Sequence, residues 1–285
     1  MAKQGFRVMD SDLHVIEPRT LWEDYLDPKF RGRIVTVPGD YGSVRAHIDG
    51  KVLPPFADRP ERERAWSLGI LFRTWATQAI NIDGLEPAFA AAMSRAWNRW
   101  IGDFCQESPE RLKGSALIPL QDIDLAVAEA RFAVHDLDAI TLVLPSHPIN
   151  GRPIYDRYYD PLWAAAQEMD VAVSFHGNHA VYSEHLAKRY LDNLVLSHAC
   201  AQPVEMMLTL GAVVTGGVLS RFPVCGWRSS KATAAGCRGG CGRSTSAGRR
   251  GAIASCSSRT PSHRSCSGAS ASSPSSLKRS CASTS

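Results

Sequence analysis

Residues 10–18, Asp10-Ser11-Asp12-Leu13-His14-Val15-Ile16-Glu17-Pro18, place a carboxylate and an imidazole two positions apart. Residues two apart in a strand point the same way, so Asp12 and His14 are expected to project together from a strand end. A carboxylate beside an imidazole suits a divalent metal, zinc first and manganese second. A helix-capping Asp and a surface His explain the same spacing equally well. A second cluster, Ser174-Phe175-His176-Gly177-Asn178-His179, follows a run of apolar or small residues. His176 is then expected at a strand's carboxyl end, where a parallel barrel keeps its working groups. The alternative is a core histidine bonded to backbone. Asn178, in the same turn, is a candidate substrate contact.

The elements that must position these groups alternate between strand and helix, as in a parallel α/β protein. Five short apolar runs read as buried strands: Phe6–Asp10, Gly69–Arg73, Gly114–Leu120, Ala139–Leu144 and Val171–Phe175. Between them, 124–134 reads as a helix with Leu125, Ala128 and Phe132 on one face, and 160–169 as a helix opened by an Asp cap and a first-turn Pro. Residues 33–54 differ: Ile34-Val-Thr-Val, Val44-Arg-Ala-His-Ile48 and Asp49-Gly50 predict a small antiparallel excursion with type I′ turn chemistry.

Composition breaks at Pro223. Residues 1–223 hold all 28 acidic residues and 22 of the 32 basic ones, for a net −6, while residues 224–285 carry +10. The overall +4 describes neither part, so it gives no ground for a nucleic-acid binder. After Pro223 there is no Asp, Glu, Asn, Gln, Phe, Tyr or Met. Cys105 and Cys200 lie before the break and six further cysteines after it. Two cysteines in the body fit a reduced compartment. The start has no apolar signal-peptide core, and the longest apolar stretch, 208–219, falls short of the roughly 20 residues needed to cross a bilayer. A cytoplasmic location with no membrane association is expected.

The motifs Asp12–Pro18, Asn150-Gly-Arg-Pro153 with Tyr159-Asp-Pro-Leu-Trp163, Phe175-His-Gly177 and Gly216-Gly-Val-Leu-Ser-Arg-Phe-Pro223 resemble the amidohydrolase-related group, in the family's order across most of 6–223. That group includes aminocarboxymuconate-semialdehyde and resorcylate-type decarboxylases. The resemblance implies a metal-dependent TIM barrel that hydrolyses C–N or C–O bonds, or removes carboxylate from an unsaturated or aromatic acid. Asp12 and His14 match the family's first-strand metal pair, often two histidines, and His176 its fifth-strand ligand. Zinc there would lower the pKa of a bound water to about 7. In decarboxylation the ion would hold the substrate's oxygens while a nearby acid protonates carbon. His198 is a candidate for proton transfer, against core packing or capping. Arg73 and Arg152 could bind a substrate carboxylate bidentately, against ordinary solvated arginines. The substrate expected is a small carboxylic acid or amide, and the family suggests a homodimer.

In the family a sixth strand carrying His or Glu follows Arg-Phe-Pro, and an eighth-strand Asp completes the metal site. Residues 224–285 offer no Asp or Glu to match it. Read two nucleotides later, codons for 226–233 permit Val-Ala-Phe-Leu-Glu-Gly-Asn, and those for 234–242 permit Cys-Gly-Trp-Leu-Pro-Trp-Trp-Leu-Trp. Both strings look like the family's continuation. A frameshift near codon 224 is therefore expected, with a genuine disordered Ser/Arg tail as the alternative. The fold expected is an incomplete TIM (β/α)8-type barrel: five strands within 1–223 and a disordered tail over 224–285. Two functions compete: a metal-dependent hydrolase or carboxy-lyase impaired in this form, or a non-catalytic binding protein whose cationic tail engages an anionic partner.

Overall fold

Apolar residues on both faces make a strand that must be covered on both sides, and the chain solves this with a parallel sheet wrapped in helices. The computed structural model describes residues 2–3, 6–7, 9–15, 17–18, 20–38, 43–52, 56–57, 68–72, 81–176, 194–223 and 227–229. The main sheet has six strands: β1 (Met9–His14), β2 (Leu68–Phe72), β3 (Leu112–Leu117), β4 (Thr141–Leu144), β5 (Ala172–Phe175) and β6 (Trp227–Ser229). They lie side by side in chain order, every pair parallel. This is the strand order of a (β/α) barrel.

The helices include α1 (Leu21–Tyr25), α2 (Pro87–Gln106), α3 (Ile123–His135), α4 (Asp160–Glu168), α5 (Leu194–Thr215) and α6 (Val218–Arg221). Helix α3 begins where Asp122 accepts a hydrogen bond from the Leu125 backbone N–H at 3.0 Å. Its buried face is Ala126, Glu129, Ala130 and Ala133; Leu125 and Phe132 are half-buried and Ala128 is exposed. The expected Leu125–Ala128–Phe132 face is therefore displaced. Small alanines let α3 approach the sheet closely, and Phe132 instead lies 3.6 Å beneath the Arg95 guanidinium. In α4 the cap position falls to Tyr159 rather than Asp160, whose carboxylate instead accepts from Arg221 Nε at 3.0 Å.

The antiparallel excursion forms as the turn chemistry predicts. Strands Ile34–Pro38 and Ser43–Ile48 pair antiparallel, and Asp49 and Gly50 both take positive φ, 49° and 75°. Arg33 ties it to the start of α2 by ion pairs to Asp49 and Glu86.

The first strand of the sheet is Met9–His14 rather than the expected Phe6–Asp10, of which Phe6–Arg7 pairs antiparallel with Ala2–Lys3 outside the main sheet, and the sheet extends one strand further than expected. Val173, Ser174 and Phe175 pair with Trp227, Arg228 and Ser229, beyond the break at Pro223. Backbone pairing depends little on which side chains the strand carries, and without a neighbour β5 would leave a row of N–H and C=O groups unmatched. Residues 230–285 lie outside the described residues.

Candidate metal centre

His14 ends β1 and His176 directly follows β5. In strand order three strands separate β1 from β5. In a flat sheet, four spacings of about 4.8 Å would hold them some 19 Å apart. Their Nε2 atoms are 3.0 Å apart and the rings meet edge to face with centroids 4.8 Å apart. The sheet must therefore curl until its first and fifth strands point at one axis. His176 is 4% exposed, whereas His14 faces the open side.

Two imidazole nitrogens this close can share one proton, or direct two lone pairs at one cation. Nitrogens bound at about 2.0–2.1 Å to one zinc lie at most about 4.2 Å apart, and the observed separation falls within that limit. The pair therefore fits an ion held between β1 and β5. Among the described residues, no group of three or more His, Cys, Asp or Glu side chains stands ready to ligate.

Asp12 lies on β1, but its side chain is outside the described atoms. The pairing of β1 with β2 slips between Asp10 and Leu13: three steps on β1 oppose two on β2. Such a bulge re-aims side chains and interrupts the strict alternation from which Asp12 and His14 were read as co-facing. His198 falls on α5, again without a described side chain, and Arg73 and Asn178 lie outside the described residues. Arg152 is exposed in the loop after β4, its guanidinium stacked 3.8 Å from the Tyr158 ring. No described contact brings Arg152 to the histidine pair.

Three polar residues near the strand ends escaped the sequence reading. Glu17 is 3% exposed, three positions after His14. His147 lies three residues beyond β4, and burial pushes its imidazole below the usual range, holding it neutral. Asn81 is 7% exposed. The signal for His147 was available, since it follows a buried strand just as His176 does. Asn81 offered none. Elsewhere, burial pushes the Cys105 thiol up to about 11 and the Tyr159 hydroxyl to about 12, so neither ionises near neutrality.

Residues 26–223 match the family model described as amidohydrolase. The 2-amino-3-carboxymuconate-6-semialdehyde decarboxylase of Dictyostelium discoideum is 23% identical over 154 residues, 54% of this chain and 39% of that protein. The gamma-resorcylate decarboxylase of Rhodococcus jostii (strain RHA1) is 31% identical over 109 residues, 35% of this chain and 32% of that one. The chain thus matches less than half the length of either relative. Among solved structures, an amidohydrolase from Mycobacterium avium subsp. paratuberculosis K-10 superposes with a TM-score of 0.64 at 20% identity, covering 79% of this chain and 72% of that one. A 5-carboxyvanillate decarboxylase from Novosphingobium aromaticivorans DSM 12444, solved with bound manganese, gives 0.56 at 16% identity, covering 80% and 66%. At such identities the likeness carries the fold, and it is a TIM-barrel-like α/β one. Strand order, the meeting of first- and fifth-strand histidines and the matched stretch agree: the chain belongs to the amidohydrolase family.

Proposed function

We propose that this chain derives from a metal-dependent hydrolase or carboxy-lyase acting on a small carboxylic acid or amide, with its ion held by His14, His176 and Asp12. The observation that carries this is the 3.0 Å approach of two Nε2 atoms from strands that are not neighbours. When bound, a divalent ion supplies Lewis acidity at the open end of the barrel. Zinc and manganese both suit imidazole and carboxylate donors. The chain's own groups would orient the substrate: Arg73 and Arg152 by bidentate contact to a carboxylate and Asn178 by hydrogen bonding, with His198 moving a proton. Among the relatives, decarboxylation is the activity named.

In this form the site is short of a ligand, because no Asp or Glu follows Pro223 to complete it. A frameshift near codon 224 accounts for both that loss and the change of composition, and an impaired enzyme follows from it. Resequencing codons 215–285 tests the frame directly.

Metal content tests the centre. Purified chain equilibrated with zinc or manganese should retain close to one ion, with a raised melting temperature, and His176→Ala should lose both effects. Absence of uptake by the unaltered chain would falsify the assignment. The second reading, a binding protein with a cationic tail, rests on the +10 charge after Pro223. It predicts steeply salt-dependent association with nucleic acid that disappears on removal of 224–285.

A further inference from the structure

Helix α1, the turn after it and helix α2 enclose a groove of about 390 Å³, whose polar lining is Arg31, Arg95, Arg99, Asp24, Asp27 and Tyr25. None of its lining residues belongs to a strand, so it is separate from the histidine pair on β1 and β5. Two of the three guanidinium groups are anchored through Nε. Arg31 Nε donates to the Leu26 carbonyl at 3.2 Å. Arg95 Nε donates to the buried Glu129 carboxylate at 2.6 Å, and its Cζ lies 3.6 Å from the centre of the Phe132 ring. Each keeps both terminal nitrogens unengaged by any described hydrogen bond, which leaves the forked edge that matches an oxyanion. Arg99, one helical turn beyond Arg95, is exposed and forms no ion pair among the described residues.

The two acids of the groove do not cancel this charge. Asp27 is already matched, accepting from the Lys29 backbone N–H at 3.1 Å and pairing with Lys29 Nζ at 3.1 Å. With Arg95 balanced by Glu129, Arg31 and Arg99 stand against Asp24 alone, and positive charge is left over. We propose that this groove is an accessory site for a small phosphate ester. The open guanidinium edges offer more N–H donors than the two oxygens of a carboxylate can take up, whereas a phosphate monoester brings three acceptor oxygens and a charge of about −2. The body of the ester has Tyr25, Pro28 and Ala92 to lie against, and the Tyr25 ring is fixed by its hydroxyl, which donates to Asp103 Oδ2 at 2.9 Å. The site needs neither a metal nor the substrate acid of the proposed function, and so goes beyond that reading.

Phenyl phosphate, titrated calorimetrically into the full chain in metal-free buffer, tests the site without turnover, so failure of the metal assignment and failure of the groove are separate results. Arg31→Gln and Arg99→Gln should each weaken phenyl phosphate by about tenfold, and Asp24→Asn should tighten it severalfold by removing the one repelling carboxylate. Benzoate, the same ring on a smaller anion, should bind about tenfold more weakly than phenyl phosphate. All three substituted residues are exposed, so the melting temperature of each unliganded variant should stay close to that of the native chain, and lost binding is then not lost folding. Affinity kept in both arginine variants, as binding by the cationic residues after Pro223 would give, overturns the proposal. Equal affinity for benzoate overturns the phosphate assignment. Loss of binding in His176→Ala also overturns it, since the anion would then sit at the histidine pair.

Discussion

Among the described residues two asparagines are buried, and the fold uses them in opposite ways. Asn98 on α2, 1% exposed, is fully engaged. Its Nδ2 donates to the Leu117 carbonyl at 3.0 Å and to Glu129 Oε1 at 2.7 Å, and its Oδ1 accepts from the Leu117 N–H at 2.7 Å. Glu129 on α3 also accepts from Arg95 Nε at 2.6 Å. One side chain thus ties two helices to the end of β3. Asn81, 7% exposed, has neither amide atom matched. The difference teaches that buried polarity by itself says little. Satisfied polarity ties elements together, whereas an unmatched amide such as that of Asn81 leaves hydrogen-bonding capacity the described contacts do not use.

The strongest way to break this contrast is Asn98→Leu. It strands the Leu117 N–H and carbonyl and one oxygen of Glu129 in the interior, and should cost about 3 kcal/mol or more in urea denaturation. A loss no greater than that of a typical surface substitution would remove the distinction.

Glu129→Gln is expected to have a smaller effect, visible in its pH dependence. Burial raises the Glu129 carboxyl above its usual range, outweighing the Asn98 and Arg95 bonds. A group whose folded pKa is raised holds protons the unfolded chain has released, so its contribution is full below about pH 4.5 and is lost as pH rises through the folded pKa. Denaturation midpoints of the native chain should therefore fall as pH rises above about 4.5, a slope that the Gln variant lacks.

His147 should show the opposite sign. Burial lowers the His147 pKa, so its contribution is present above about pH 6.5 and is lost as pH falls through the folded value. His147→Phe should flatten the acid side of the stability profile below about pH 6.5. Matching slopes in the two proteins would mean that the imidazole titrates freely.

Four of the five strand assignments were legible because short apolar runs bounded by turn residues form buried strands of a parallel sheet, and turn residues such as Asp49-Gly50 dictate their own backbone. His176 was legible because it directly follows such a run; His14 was singled out by its motif instead, since it ends the polar strand Met9–His14 rather than an apolar run. The face of α3 was not, because size decided it: Ala126, Ala130 and Ala133 fit against the sheet where Phe132 could not approach as closely. Nor was β6, because Trp227–Ser229, which pairs with β5, carries no apolar run to mark it as a strand.

By itself, then, the sequence determined that four of its apolar runs form strands, the alternation that makes the sheet parallel, and the break at Pro223, since all of these are local in the chain. Only the tertiary structure decided that residues 162 positions apart would bring two imidazole nitrogens to 3.0 Å, and which of two buried asparagines would be matched. Those outcomes depend on how far the sheet curls and where its loops meet. Curvature and loop contact are set by packing summed over many strands and helices, and no short stretch of sequence encodes them.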